Sequence, residues 1–254
     1  MLQDIVAGNV YIFLLIFARL GAAMMSLPGI GEASVPARAR LSVAVLTAAL
    51  AAPVLGPSLP PLPPHPLQLA FLVITELGFG LALGLLARLV MFTMQVAGTV
   101  IAMQAGLSAA TFFDPTQGSQ NVLVSSWLVF FGIALVFTTD LHLVGLQAAY
   151  DSYTMFPPMR APAFGDFANA ATRMVDGGFA LGLKLSAPFI VYGIIFNVAL
   201  GLLNRLMPSL QIFFIMQAPQ IAFSLVVLGL SMAAIGTSFT TRFEEQMSQF
   251  LVPR

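Results

Sequence analysis

Two histidines are the only side chains here whose ordinary pKa suits proton traffic near neutral pH, and neither has a partner in sequence for it. His65 lies inside a run of prolines, and His142 follows Asp140 at an expected helix end. Cysteine is absent, which removes disulfides, thiolate metal sites and Cys nucleophiles together. The stretch AFGDF at 163–167 lacks the first glycine of the GxGD pattern of intramembrane aspartyl proteases. Asp114 precedes Pro115, a common turn pair, and Asp140 is too distant in sequence to be assigned as its partner. No glycine-rich phosphate loop leads into a lysine, and no serine has an identifiable base. The expectation is a chain with no catalytic residues, no metal site, no cofactor and no enzyme activity.

The remaining chemistry is charge inside apolar sequence. Arg19, Glu76, Arg88, Lys184 and Arg205 fall within or beside apolar runs. Each costs about 2.5–3.5 kcal/mol at the centre of a membrane helix, so a partner or water is implied. Glu76 and Arg88 are 12 positions apart, about 120° around a helix, so they cannot pair with each other. Charges or carbonyls on other helices are the structural explanation. A proton or ion relay is the functional one, and it needs clustered carboxylates or histidines that the sequence does not show.

These charges are rare. The chain is 59% hydrophobic and 8% charged, against about 25% charged in a soluble domain. Mean hydropathy is +0.95. Formal net charge is zero, so nucleic acid has no basic patch to bind. The N-terminus MLQDIVAGNV lacks a basic lead-in and carries Asp4, so the first apolar run is expected to be kept. One polar segment interrupts the apolar sequence conspicuously: Gly106 to Asn121, GLSAATFFDPTQGSQN. Non-helical backbone at membrane depth survives only when sheltered by protein or lining an aqueous path.

The elements that must position these residues read as helices, since the patterning is helical and lacks the regular alternation of a barrel. Apolar runs cover roughly 5–27, 41–56, 67–110, 122–137, 179–203 and 212–237. Pro53 is expected to stop the second after a rise of about 18 Å. The third has no proline and would reach about 65 Å as one helix, so it either breaks or projects far beyond the bilayer. Pro219 is expected to interrupt the last run. Pro57–Pro66 reads as a stiff polyproline spacer, and a short helix is expected to start near Asp166. Arg38 and Arg40 favour a cytoplasmic loop after the first run and an external N-terminus.

Small residues form stripes along these helices. Gly80 and Gly84 follow Glu76; Met91, Gln95, Gly98, Ala102, Ala105 and Ala109 alternate in spacing. Gly178, Gly182 and Ser186 make a third series, and Gly193, Asn197, Gly201 and Arg205 a fourth. Such stripes let helix backbones approach closely, either within the chain or against partner subunits.

Three blocks resemble the FliR family of type III export gates, called SctT in injectisomes. They are 26–53 (SLPGIGEASVPARARLSVAVLTAALAAP), 75–120 with Glu76, Gly80, Gly84, Gly98, Gln104, Gly106 and Asp114-Pro115, and 196–219 with Asn197, Gly201, Arg205, Pro208, Gln211, Phe213 and Pro219. The resemblance covers nearly the whole chain, and it departs from the family at Gln217, where a glycine is frequent, and in the longer polyproline spacer. It implies an all-α fold of membrane-associated hairpins with broken helices, a FliP-like part over about 1–175 followed by a FliQ-like hairpin over 176–254. It implies FliP-like, FliQ-like and FlhB-like partners in the bacterial inner membrane, at the flagellar basal body, and unfolded export substrates. It places Gly106, Phe112, Phe113, Asp114 and Pro115 in a channel plug. It places Glu76, Gly80, Gly84, Gly98, Gln104, Asn197 and Gly201 in subunit packing, and Arg205, Pro208 and Gln211 at the cytoplasmic tip of the hairpin. Phe112 and Phe113 are expected to seal against apolar neighbours, with Gly106 and Gly118 giving the loop freedom to move. The residues alone leave open a secondary transporter with discontinuous helices, a passive scaffold, and an injectisome rather than a flagellar gate.

Overall fold

The computed structural model describes residues 2–107, 120–158, 164–207 and 212–251. Every described element is helical. In order they are α1 (Leu2–Ile16), a π-helical turn (Phe17–Gly21), α2 (Ala22–Ser26), α3 (Ala37–Leu55), a 3-10 turn (Gly56–Ser58), α4 (Pro66–Gln104), α5 (Gln120–Thr138), α6 (Leu141–Met155), α7 (Phe164–Leu206) and α8 (Ile212–Ser248). Five segments are long and apolar enough to cross a membrane, and a sixth is possible if α5 and α6, bent by 74° at their junction, count as one span.

Prolines punctuate this chain less than expected. α3 runs through Pro53 to Leu55, because a proline in a last turn removes one bond that a fraying end barely holds. α8 runs through Pro219 and α7 through Pro188, as apolar helices allow when neighbouring groups satisfy the freed carbonyl. The helix near Asp166 is not short: it starts at Phe164 and continues for 43 residues. The 67–110 run does not break, since α4 is continuous over 39 residues from Pro66, a residue suited to the first helical position. Real stops come from other devices. Leu27, forced extended by Pro28, ends α2, and Gly29 follows at a φ of 84°. Asp140 takes a left-handed φ of 57° and makes the α5–α6 bend.

The chain clusters into two compact units. Unit 1 draws on residues up to Val90, on Val136–Met174 and on the chain from Arg242; unit 2 draws on Met91–Leu135 and Val175–Thr241. In unit 1 the first helical segment packs Ile16, Leu20 and Ala23 on Ala48 and Leu55 of α3 and on Ala149 and Tyr153 of α6. Tyr11 and Leu15 pack on Leu72 of α4.

Glu76, Gly80 and Gly84 lie on one stripe of α4, and together they receive the first segment. A Cβ at Gly80 would strike the Arg19 carbonyl, and one at Gly84 would strike Ser26 and Ala23. With the backbones this close, Arg19 reaches Glu76 as a bidentate pair, Nε to Oε2 at 2.6 Å and Nη2 to Oε1 at 2.9 Å. Arg19 is 0% exposed and Glu76 1%. Nη1 donates to the carbonyl of Phe156 at 3.0 Å, just past the end of α6, and to that of Ser152 at 3.1 Å, which also accepts the Phe156 N–H. The guanidinium also lies over the rings of Tyr153, at 4.2 Å, and Phe79, at 4.9 Å. One arginine thus ties the first segment to α4 and α6.

Removing one member leaves a buried charge without its partner, at a cost of about 3–5 kcal/mol. Arg19→Met and Glu76→Met are therefore each expected to lower the thermal unfolding midpoint in detergent strongly. The double variant should lose less than either single one; equal or additive losses would show that the pair does not act as a unit.

Candidate functional site

Unit 2 carries the start of the 106–121 segment, and its geometry begins with how α4 stops. Gly106 has a φ of 76°, which only glycine adopts readily. Its N–H bonds to the Met103 carbonyl at 3.3 Å, and the Leu107 N–H bonds to the Ala102 carbonyl at 3.2 Å. Those two bonds make a Schellman stop with Gly106 just past the helix end. They leave the Gln104 carbonyl to find another donor, and the Gln220 amide on α8 supplies it at 3.1 Å. The same amide lies against Gly106, where an added Cβ would come within 2.7 Å of its oxygen.

Gln220 is itself held. Its backbone carbonyl accepts from the Tyr192 hydroxyl on α7 at 2.9 Å and from the Ser224 hydroxyl at 2.8 Å. Beside Tyr192, Gly193 faces the Gln104 side chain so closely that a Cβ there would strike it. Three helix segments therefore converge on the exit of α4. The helices reach this distance through small residues: Gly98 lies against the Ser125 backbone, Gly182 against Val96 and Thr93, and Gly178 against Thr93. Ser125 donates to the Gln95 carbonyl at 3.3 Å across the same contact.

The sequence-derived residues fall in distinct places. Gly106 and Gln104 form this junction; Phe112, Phe113, Asp114 and Pro115 lie outside the described residues, as does Gly118. Glu76, Gly80, Gly84 and Gly98 make the contacts within the chain given above. Asn197, Gly201 and Arg205 are exposed on α7, and nothing lies within 4 Å of a Cβ built at Gly201. Pro208 and Gln211 lie outside the described residues. Of the charges that could have formed a relay, Arg19 and Glu76 bind each other, and Arg88 meets Glu32 at 3.3 Å near the surface. Lys184 is exposed. Among the described residues no group of three or more His, Asp or Glu could hold a metal ion. The residues that sequence reasoning missed are Gln220, Tyr192 and Ser224. Each is a polar side chain inside an apolar run, which was the available signal.

Comparison with known proteins adds a family. Residues 10–246 match the family described as bacterial export proteins, family 1. The chain is similar to the flagellar biosynthetic protein FliR of Caulobacter vibrioides, at 39% identity over 96% of this chain and 97% of that one. It is also similar to FliR of Bacillus subtilis, 30% identical over 88% and 86% of the two chains, and to FliR of Escherichia coli, 31% identical over 82% and 78%.

Two substitutions test the junction. Gly106→Ala puts a Cβ at a left-handed position and against Gln220, and is expected to destabilise the fold by about 1–2 kcal/mol. Adding Gln220→Ala relieves the contact but not the backbone strain, so thermal unfolding should recover only in part. Gly98→Leu drives its side chain into the Ser125 backbone, so the chain itself should accumulate poorly, and Ser125→Ala should not rescue it. Normal accumulation of Gly98→Leu would mean that this helix contact is loose.

Proposed function

The chain belongs to the bacterial export proteins, family 1, and on that premise we propose that it is a non-enzymatic subunit of the flagellar type III protein export gate. In this reading it sits in the bacterial inner membrane at the flagellar basal body, assembled with FliP-like, FliQ-like and FlhB-like subunits, and forms part of the channel for unfolded flagellar proteins. The flagellar names of its relatives favour the flagellar over the injectisome gate.

The observation that carries the proposal is a mismatch of length. α4, α7 and α8 have 39, 43 and 37 residues, rising about 58, 64 and 56 Å against about 30 Å of hydrocarbon. On α4, exposed apolar side chains run from Leu67, 84% exposed, to Met103, 57% exposed. Those residues are about 54 Å apart along the axis, and a tilt of 40° still leaves about 41 Å. On α7 exposed apolar side chains run from Val175 to Leu206, about 46 Å along the axis, which a tilt of 40° reduces to about 36 Å. Lipid cannot cover that whole length, and water covers apolar surface badly. Sister subunits around a conduit can cover it.

Within this reading the part over about 1–175 is FliP-like, and 176–254 is a FliQ-like hairpin. The pairing of Tyr192 on α7 with Gln220 on α8 supports the hairpin. Arg205, exposed in the last turn of α7, stands at its cytoplasmic tip with Pro208 and Gln211. The segment after Gly106 is the plug, and Phe112 and Phe113 seal it against partner methionines, whose side chains adapt to irregular gaps. The exposed Asn197 and Gly201 meet a neighbouring subunit.

Deleting 110–117 is expected to raise ion leak through the assembled gate in planar bilayers while subunit recovery is kept; unchanged conductance would count against the plug. Gly201→Leu is expected to leave the chain folded, since its Cβ position is open, yet to lower co-purification with FliP-like and FliQ-like subunits. Full recovery of the complex would remove that face from the interface.

A further inference from the structure

We infer that the outward face of α3 is a seat for an anionic phospholipid, with the phosphate held by Arg38 and Arg40 and an acyl chain laid along Leu46 and Leu50. The seat takes only one thing from the export-gate reading: that the apolar helices cross the inner membrane.

α3 differs in length from its neighbours. Its 19 residues rise about 28 Å, close to the thickness of the hydrocarbon, so lipid can cover it from end to end. Its buried side is small. Ala44 and Ala48 are 0% exposed, and Ala48 packs against the first helical segment. The outward side carries Leu46, Leu50 and Val54, which are 63, 78 and 63% exposed. Close contacts between membrane helices favour small residues, and on α4 and α7 this chain makes them with glycines. No glycine occurs from Ala37 to Leu55. Exposed leucine and valine match acyl chains, which are equally apolar.

The charge sits at one end of this face. From Leu41 to Thr75 the sequence has no Asp, Glu, Lys or Arg, whereas Arg38 and Arg40 open α3. A cation in the first turn of a helix opposes the macrodipole, so these arginines do not serve α3 itself. Between Asp4 and Glu76 the sequence holds a single acid, Glu32, and Arg88 takes it at 3.3 Å. Arg38 is exposed. Arg40 is half-buried, and its Nε is shielded from solvent without a partner among the described residues. The two positions are about 200° apart around the helix, one on each side of the Leu46 stripe. Half the hydrocarbon thickness, about 15 Å, reaches from Leu41 to near Leu50. Two cations at the end of an apolar face one leaflet long fit the two parts of an anionic phospholipid. Arginines beside a span mark the cytoplasmic side, where such lipids attract basic segments.

The test uses the gate assembled with FliP-like and FliQ-like subunits in neutral detergent, titrated with phosphatidylglycerol and followed by native mass spectrometry. The Arg38→Gln/Arg40→Gln gate should retain fewer phosphatidylglycerol molecules, the lost class binding about thirtyfold more weakly, as expected for two arginines at a membrane surface. Arg38→Lys/Arg40→Lys should keep most of that binding. Phosphatidylethanolamine, with no net charge, should bind parental and variant gates alike. Glycerol phosphate, the same anion without chains, should not compete, and full competition would overturn the assignment to a lipid. Should the double variant fail to accumulate, Arg38→Gln alone decides, since that side chain is exposed; its expected loss is about fivefold. Unchanged phosphatidylglycerol binding would overturn the proposal. Lower recovery of the partner subunits with phosphatidylglycerol binding unchanged would overturn it in favour of a partner carboxylate on α3. If the parental chain recovers no such subunits, the gate reading fails, and the same titration of the chain alone still decides the seat.

Discussion

The Arg19–Glu76 pair is the interaction on which unit 1 depends. Neither residue could stand where it does alone, because a buried charge without a partner is among the most expensive defects a fold can carry. The pair forms only because Gly80 and Gly84 let the first helical segment settle on α4. The arginine's remaining donor is met where α6 ends, by the Phe156 carbonyl and by the Ser152 carbonyl, which the arginine shares with the Phe156 N–H. Apolar helices in lipid gain little by burying greasy faces against each other, since hydrocarbon is already outside. A buried pair with fixed geometry therefore supplies what apolar contact cannot: one register and one set of neighbours.

Unit 2 solves the same problem with neutral groups. Gly98, Gly178 and Gly182 bring the helices close, and a small hydrogen-bonded set around Gln220 fixes the register where α4 ends. An amide is suited to this place. It can donate to a helix-end carbonyl without the desolvation that a charged side chain would require.

Much of the fold was legible in the sequence, and its failures have physical causes. Apolarity and helical patterning give the all-α class, and the small-residue stripes mark close approaches. The pairing of Arg19 with Glu76 was not legible, because the residues are 57 positions apart and nothing local in either stretch names the other. The stops were misplaced at Pro53 and Pro219, since the cost of proline drops when a helix is held by neighbours over several turns, and the helix expected to start near Asp166 starts at Phe164 but is long rather than short. The actual stops, Gly106 and Asp140, rest on left-handed backbone, which glycine signals only weakly and aspartate less. For the candidate site, the sequence marked Gly106 and Gln104 at its edge. Gln220 stayed hidden, because its partner is a backbone carbonyl and leaves no trace in residue type.

The π-turn at Phe17–Gly21 has a consequence for the first segment. Such a turn holds about one residue more than a regular helix, which rotates everything after it by about 100° relative to everything before. Residues on both sides of the turn meet both neighbours: Tyr11, Leu15 and Ser26 lie against α4, and Ile16, Leu20 and Ala23 pack on α3 and α6. The extra residue brings the two halves of the rod into one register, and a chain one residue shorter there would swing Tyr11, Leu15 and Ile16 out of their seats while Leu20, Ala23 and Ser26 kept theirs.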